Sequence, residues 1–210
     1  QVRLYVRAFD QPSVTVLATT ENTAQPFFSP DGSWIAYWSN GALRKVSVAG
    51  GTVIPITPAS GGFQGGSWSE RGDIIFASNG TLFRTGADGG PVDTLLRDTT
   101  KSYRWPEFLP DGKTLLFMTA GQGPPRIQAL TLSSRKVTDL GITGVNPRYA
   151  GRGQLMYATV EGLLFAVPFD AASLRVRGSA TLVATSVRVA AGGAAKVGHS
   201  RNGVLAWLGG

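Results

Sequence analysis

His199 is the single histidine in these 210 residues, and there is no cysteine. Those two counts decide much of the chemistry open to the chain. A Ser-His-Asp triad would have to be built on His199, and no Gly-x-Ser-x-Gly elbow presents a nucleophilic serine. One histidine and no thiolate cannot supply the three or four ligands of a zinc or copper site. The thirteen acidic residues include no Asp-x-Asp-x-Asp loop of the kind that wraps calcium. A pair of carboxylates flanking a glycosidic bond is the remaining enzymatic arrangement to weigh. Asp31, Asp73, Asp88 and Asp111 are worded as turn residues, which leaves Glu21, Glu107 and Glu161 to reach an inner or top surface. That is a thin supply for a cleft-bound acid pair. Gly121-Gln122-Gly123-Pro124-Pro125-Arg126 departs from the dinucleotide-binding pattern and reads as a loop. No catalytic residue, metal or cofactor is therefore expected.

The elements that would carry any site are marked by a recurring turn. Phe28-Ser29-Pro30-Asp31-Gly32 precedes Trp34-Ile35-Ala36-Tyr37-Trp38, and Phe108-Leu109-Pro110-Asp111-Gly112 precedes Thr114-Leu115-Leu116-Phe117-Met118. Proline presets the turn angle, aspartate bonds back to the main chain, and glycine accepts positive φ. Weaker copies end at Gly72, Gly153 and Gly203, so the turn glycines are spaced by 40, 40, 41 and 50 residues. A period of that size, with short strands between turns, predicts propeller blades. Apolar residues alternate in short runs punctuated by glycine, and Asn40-Gly41 and Asn79-Gly80 are hairpin turns.

The strand count predicts an all-β, five-bladed propeller of four-stranded antiparallel blades. Four blades cover about residues 24–60, 61–100, 101–142 and 143–189, and residues 1–20 complete a fifth with 190–210. On this reading Leu4-Tyr5-Val6-Arg7-Ala8-Phe9-Asp10 pairs beside the last strands and closes the ring, giving a single-domain monomer. His199 then stands four residues before its turn glycine, in the slot of Phe28, Trp68, Phe108 and Tyr149, and is a packing residue.

Composition agrees with a folded chain of strands and turns: 42% hydrophobic residues, 16% charged, 28 glycines and 12 prolines. The net charge of +7 comes from scattered residues, adjacent only at Arg44-Lys45 and Arg135-Lys136, which argues against a nucleic-acid surface. No apolar run reaches the roughly 18 residues of a membrane helix, and the start lacks a signal-peptide pattern. The chain opens inside a strand pattern, as a piece of a longer polypeptide would.

The Ser29-Pro30-Asp31-Gly32 and Leu109-Pro110-Asp111-Gly112 turns resemble the TolB-like, WD-type propeller repeat of bacteria. More narrowly, Leu4 to Asp10 and Pro26 to Gly51 are similar to the propeller region attached to bacterial serine/threonine protein kinases. The resemblance implies a binding or sensor module facing the outside of the cell. Blades four and five lose the Ser-Pro-Asp-Gly wording, and no kinase motif is present.

A binding function would use the mouth of the central channel. Seven residues before the turn glycines stand Gln25, Gly65, Trp105, Asn146 and Lys196, and one earlier Ala24, Gln64, Arg104, Val145 and Ala195. A packing slot would be uniformly apolar, whereas this one is polar and varied on a shared frame. Gln25, Gln64, Arg104, Trp105, Asn146 and Lys196 form the candidate site, joined by Asn40, Asn79, Gln122 and Glu161 from neighbouring loops. Arg104 and Lys196 favour an acidic peptide, a protein loop or a small anionic ligand. The alternatives are a propeller-type glycoside hydrolase and a gating domain like that of propeller-bearing peptidases.

Overall fold

The computed structural model describes residues 2–8, 10–200 and 204–210, and the side chains of all of these except 18 and 19. Phe9 and the fifth turn, Arg201-Asn202-Gly203, lie outside the described residues.

The chain opens with a hairpin of β1 (Arg3–Val6) and β2 (Thr15–Glu21). Sheet I follows as β3 (Thr23–Phe28), β4 (Trp34–Ser39), β5 (Ala42–Ser47) and β6 (Ile54–Pro58). Sheet II is β7 (Phe63–Trp68), β8 (Asp73–Ser78), β9 (Thr81–Gly86) and β10 (Asp93–Leu96). Sheet III is β11 (Ser102–Phe108), β12 (Thr114–Ala120), β13 (Arg126–Thr131) and β14 (Lys136–Thr143). Sheet IV is β15 (Val145–Gly151), β16 (Gln154–Ala158) and β17 (Leu164–Asp170), whose outer edge is shared by β18 (Arg175–Val176) and β19 (Thr181–Ala184). Three short pieces follow, β20 (Val189–Ala190), β21 (Ala194–Ala195) and β22 (Val197–His199), before β23 (Leu205–Trp207). Every ladder is antiparallel and joins strands adjacent or nearly adjacent in sequence.

The second strand of each unit is apolar on both sides because sheets cover both its faces. On β4, Ile35 and Tyr37 face Leu4 and Leu17 of the opening hairpin, while Ala36 joins Ile74 and Phe76 of sheet II. On β8, Ile75 and Ala77 turn instead to Tyr103, Leu115 and Phe117 of sheet III. Leu116 of β12 packs with Leu155, Val167 and Phe169 of sheet IV. The core is thus a series of layers between successive sheets, and each fully buried large side chain contributes about 1.5–3 kcal/mol. Charged ties cross the same seams. Lys45 of sheet I reaches Asp88 of sheet II at 2.6 Å, and Arg135 of sheet III reaches Asp93 of sheet II at 2.6 Å.

The inner strands β3, β7, β11 and β15 lie one against the next, with β21 beyond β15. The expected closure of the ring is not present. β1 pairs with β2, through Tyr5↔Val16 and Val6↔Thr15, and β22 pairs with β23; among the described residues no ladder joins the two hairpins. The reason lies in the segment after sheet IV. Arg188 N–H donates to Leu208 O at 2.9 Å and Gly210 N–H to Ser186 O at 2.7 Å, with a bridge between Val187 and Gly209. Residues 186–188 therefore take the backbone groups at the end of β23 that a closing strand would need.

Candidate binding site

Each inner strand begins at the face bearing the Asn40-Gly41 and Asn79-Gly80 turns, and each is bulged near that end. The registers shift between Ala24 and Phe27, Phe63 and Gly66, Arg104 and Glu107, and Val145 and Arg148. Inside the four bulges stand Gln25 (φ 50°), Gly65 (φ 90°), Trp105 (φ 54°) and Asn146 (φ 51°). A bulge needs one residue outside the β region, and for a residue other than glycine the left-handed state costs about 1–2 kcal/mol. Asparagine tolerates it best, because its side chain bonds locally. Pro26, Pro106 and Pro147 follow three of these residues and carry no N–H, so no donor is orphaned where the ladder breaks. Four of the five positions that stand seven residues before the turn glycines are these bulge residues; the fifth is Lys196.

Their side chains do not all face solvent. Trp105 is 4% exposed, with its ring over Gly65: a Cβ on Gly65 would stand 2.7 Å from Trp105 Cε3. Its Nε1–H donates to Gly192 O at 2.8 Å. Asn146 is also 4% exposed and donates from Nδ2 to Ala195 O at 2.9 Å, while its Oδ1 is buried without a partner. Both therefore belong to the packing beneath the mouth, a correction to the expectation that they face a ligand. Gln64 is half-buried and accepts from Gly80 N–H at 3.2 Å. Half-buried Arg104 donates from Nε to Ser102 Oγ at 2.9 Å, and Gln25 is half-buried. Lys196 is exposed.

The loop residues stay at the tips of their own sheets. Asn79 (φ 47°) accepts from Gly62 N–H at 3.0 Å and donates to Ser60 O at 3.1 Å, so it fastens the preceding loop. Asn40 (φ 49°) accepts from Asn22 Nδ2 at 3.3 Å. Gln122 and Glu161 are exposed, and the Thr159 hydroxyl holds the Glu161 carboxyl below its usual range.

The sequence reading missed the strap over the mouth. Val189–Ala190 and Ala194–Ala195 pair antiparallel around a 3-10 turn at Ala191–Gly193. Gly192 (φ 77°) and Gly193 (φ 79°) lie close on the neighbouring sheets: a Cβ would stand 3.0 Å from Arg104 Nη1 and 3.0 Å from Val145 Cβ, respectively. The strap thus lies on the bulges of sheets III and IV and ties them through Trp105 and Asn146. The Gly192-Gly193 pair was the available signal.

Further along the inner strands a second set of polar ties joins sheets III and IV to the last hairpin. Glu107 accepts from Tyr149 N–H at 2.6 Å and from Arg148 Nη1 at 3.0 Å. His199 Nε2 lies 3.0 Å from Tyr149 O and 3.8 Å from Glu107. His199 is thus engaged with a neighbouring inner strand in its repeat slot, and Glu107 is spent on structure. Among the described residues no group of three or more metal-ligating side chains occurs.

Neither a protein-family profile nor a curated protein matches the sequence. Solved structures do resemble the fold. TolB from Acinetobacter baumannii aligns with a TM-score of 0.66 at 19% identity, over 80% of this chain and 46% of that one. A putative TolB from Agrobacterium tumefaciens aligns at 0.65 and 16% identity, over 83% of this chain and 67% of that one. A chain of a nidogen/laminin complex aligns at 0.62 and 12% identity, over 74% and 64% respectively. The chain spans about half the length of the Acinetobacter protein. At these identities the likeness shows a TolB-like propeller fold. No helix among the described residues is long and apolar enough to cross a membrane.

Proposed function

We propose that this chain is a non-enzymatic binding propeller that takes an acidic peptide or protein loop on the rim of the strapped face. The observation that carries the reading is the fourfold bulge. Three non-glycine residues are held at positive φ at one level of successive inner strands, and strain of this kind collects at functional surfaces. Around the strap the rim is varied and polar, with Gln25, Gln64, Arg104 and Lys196. Among the described residues no carboxylate lies within ion-pair distance of Arg104 or Lys196, whereas other arginines are paired, among them Arg84, Arg126, Arg135 and Arg177. Cations left unpaired on a rigid frame select an anionic guest and speed its arrival. The TolB-like fold supports a protein partner. The resemblance to kinase-linked propellers supports an extracytoplasmic sensor role within that reading.

Calorimetric titration with a panel of acidic, neutral and basic peptides tests this. Acidic peptides are expected to bind, and Lys196→Glu to weaken them about tenfold, one charge-assisted contact being worth about 1.4 kcal/mol or more. Equal or absent binding across the panel overturns the reading.

A further inference from the structure

At the opposite end of the sheets, a groove of about 400 Å³ opens between the turn that follows β3 and the turn that follows β7, lined by Trp34 and Trp68. That volume falls within the roughly 300–1,000 Å³ of small-ligand sites. The tryptophans of this protein divide by the fate of the indole N–H. Trp38 donates to Ala59 O and Trp105 to Gly192 O, both at 2.8 Å, and these rings are built into the fold. Trp34 and Trp68 are half-buried, and neither indole N–H has a hydrogen-bond partner among the described residues. Buried tryptophans ordinarily satisfy that donor, and a donor left open in a groove is available to a guest.

Charge narrows the guest. Lys45 Nζ lies 5.1 Å from the Trp34 ring centroid and 5.7 Å from that of Trp68, and it is held by Asp88 at 2.6 Å. The protein's own ammonium therefore lies over one face of each ring, and a second cation at these rings would be repelled by it. An anion meets Asp31 on one turn and Glu70 on the other. Asp31 is kept ionised, with a pKa lowered to about 2 by the Ser29 hydroxyl, then by the hydroxyl and N–H of Ser33. Those three bonds use three of the roughly four acceptor sites of a carboxylate, leaving one for a guest hydroxyl.

A neutral ring with an apolar C–H face and several hydroxyls satisfies all of these conditions. We propose that the Trp34–Trp68 groove is a carbohydrate subsite, stacking a neutral pyranose ring on indole and taking its hydroxyls on Asp31 and the indole N–H groups. This site is independent of the strapped face, from which it is separated by the length of the sheets.

The test uses the whole chain and three neutral probes, maltotriose, cellotriose and chitotriose, with Arg-Gly-Arg and Glu-Gly-Glu as charged comparisons. Saturation-transfer NMR and tryptophan fluorescence are followed up to about 20 mM, above a weak millimolar Kd. At least one trisaccharide is expected to saturate. Trp68→Leu should weaken it about three- to tenfold, the worth of one aromatic stacking contact, and Asp31→Asn should weaken it as well. Trp34→Phe, which keeps the packing, serves as the second reading should Trp68→Leu fail to fold. No saturable sugar, unchanged affinity in the folded variants, or tighter binding of either charged tripeptide overturns the proposal.

Discussion

Glu107 shows how one side chain can hold two sheets in register. Its carboxylate accepts the Tyr149 N–H and the Arg148 guanidinium, and its side chain is only 14% exposed. Truncation leaves a half-buried amide and a half-buried guanidinium without their acceptor, so Glu107→Ala is expected to cost about 1–3 kcal/mol. Urea unfolding measures this. A loss near zero would mean that water replaces the carboxylate. Asp31 makes a different residue-scale prediction, because its pKa falls from 3.8 to about 2 in the folded protein. A depressed carboxyl stabilises fully above its unfolded pKa, and that contribution is lost as pH falls through the folded one. The melting temperature should therefore drop between about pH 4 and pH 2, and Asp31→Asn should flatten that part of the profile. A parallel profile for the variant would refute the assignment. Such contacts were partly legible beforehand. The aromatic slot predicted a packing residue at His199, and its ring instead makes a half-buried polar tie, 3.0 Å from Tyr149 O and 3.8 Å from the Glu107 carboxylate. Trp105 looked like an accessible ring, since its burial depends on Gly65 and Gly192, neither near it in sequence.

At the scale of strands, the bulged inner strand is the unit on which the candidate site depends. Two glycines at positive φ separate backbone strain from crowding. Gly32 (φ 73°) has nothing within 4 Å of an added Cβ, so Gly32→Ala should cost about 1–2 kcal/mol for the left-handed backbone alone. Gly65 (φ 90°) would drive a Cβ to 2.7 Å from Trp105, so Gly65→Ala adds roughly 1–3 kcal/mol of overpacking and dislodges the ring. Thermal melts with tryptophan fluorescence distinguish them, since only the second should change the emission of the folded state. Gln25→Gly runs the other way. It relieves the left-handed state of Gln25, so the protein should gain up to about 1 kcal/mol while losing a rim side chain. Strand existence was legible, because continuous apolar runs such as Ile74–Ala77 between turn glycines have no other use in a chain of this pattern. The bulges were not, because φ is not carried by residue type: Gln25, Trp105 and Asn146 share a conformation and little chemistry.

For the whole molecule the open question is the seam between the two end hairpins. A closed ring hides its strand edges, and the expectation of a monomer follows from closure. In this structure the hairpins remain separate, and apolar side chains gather on them: Tyr5 is 62% exposed and Val16 45% on one, Trp207 49% and Leu208 53% at the other. Contiguous apolar surface beside a strand edge favours association. These hairpins also lack the two-sided cover that buries β8 and β12, so they should open first. Hydrogen exchange should show β1, β2, β22 and β23 losing protection well before β8 and β12. Sedimentation velocity of the 210-residue chain should show mass rising with concentration, and Val16→Lys with Trp207→Lys should restore a single monomeric species. The two measurements constrain each other. Slow exchange in the end hairpins together with a concentration-independent monomer would mean that the hairpins pair in solution, and the opened seam would then be wrong.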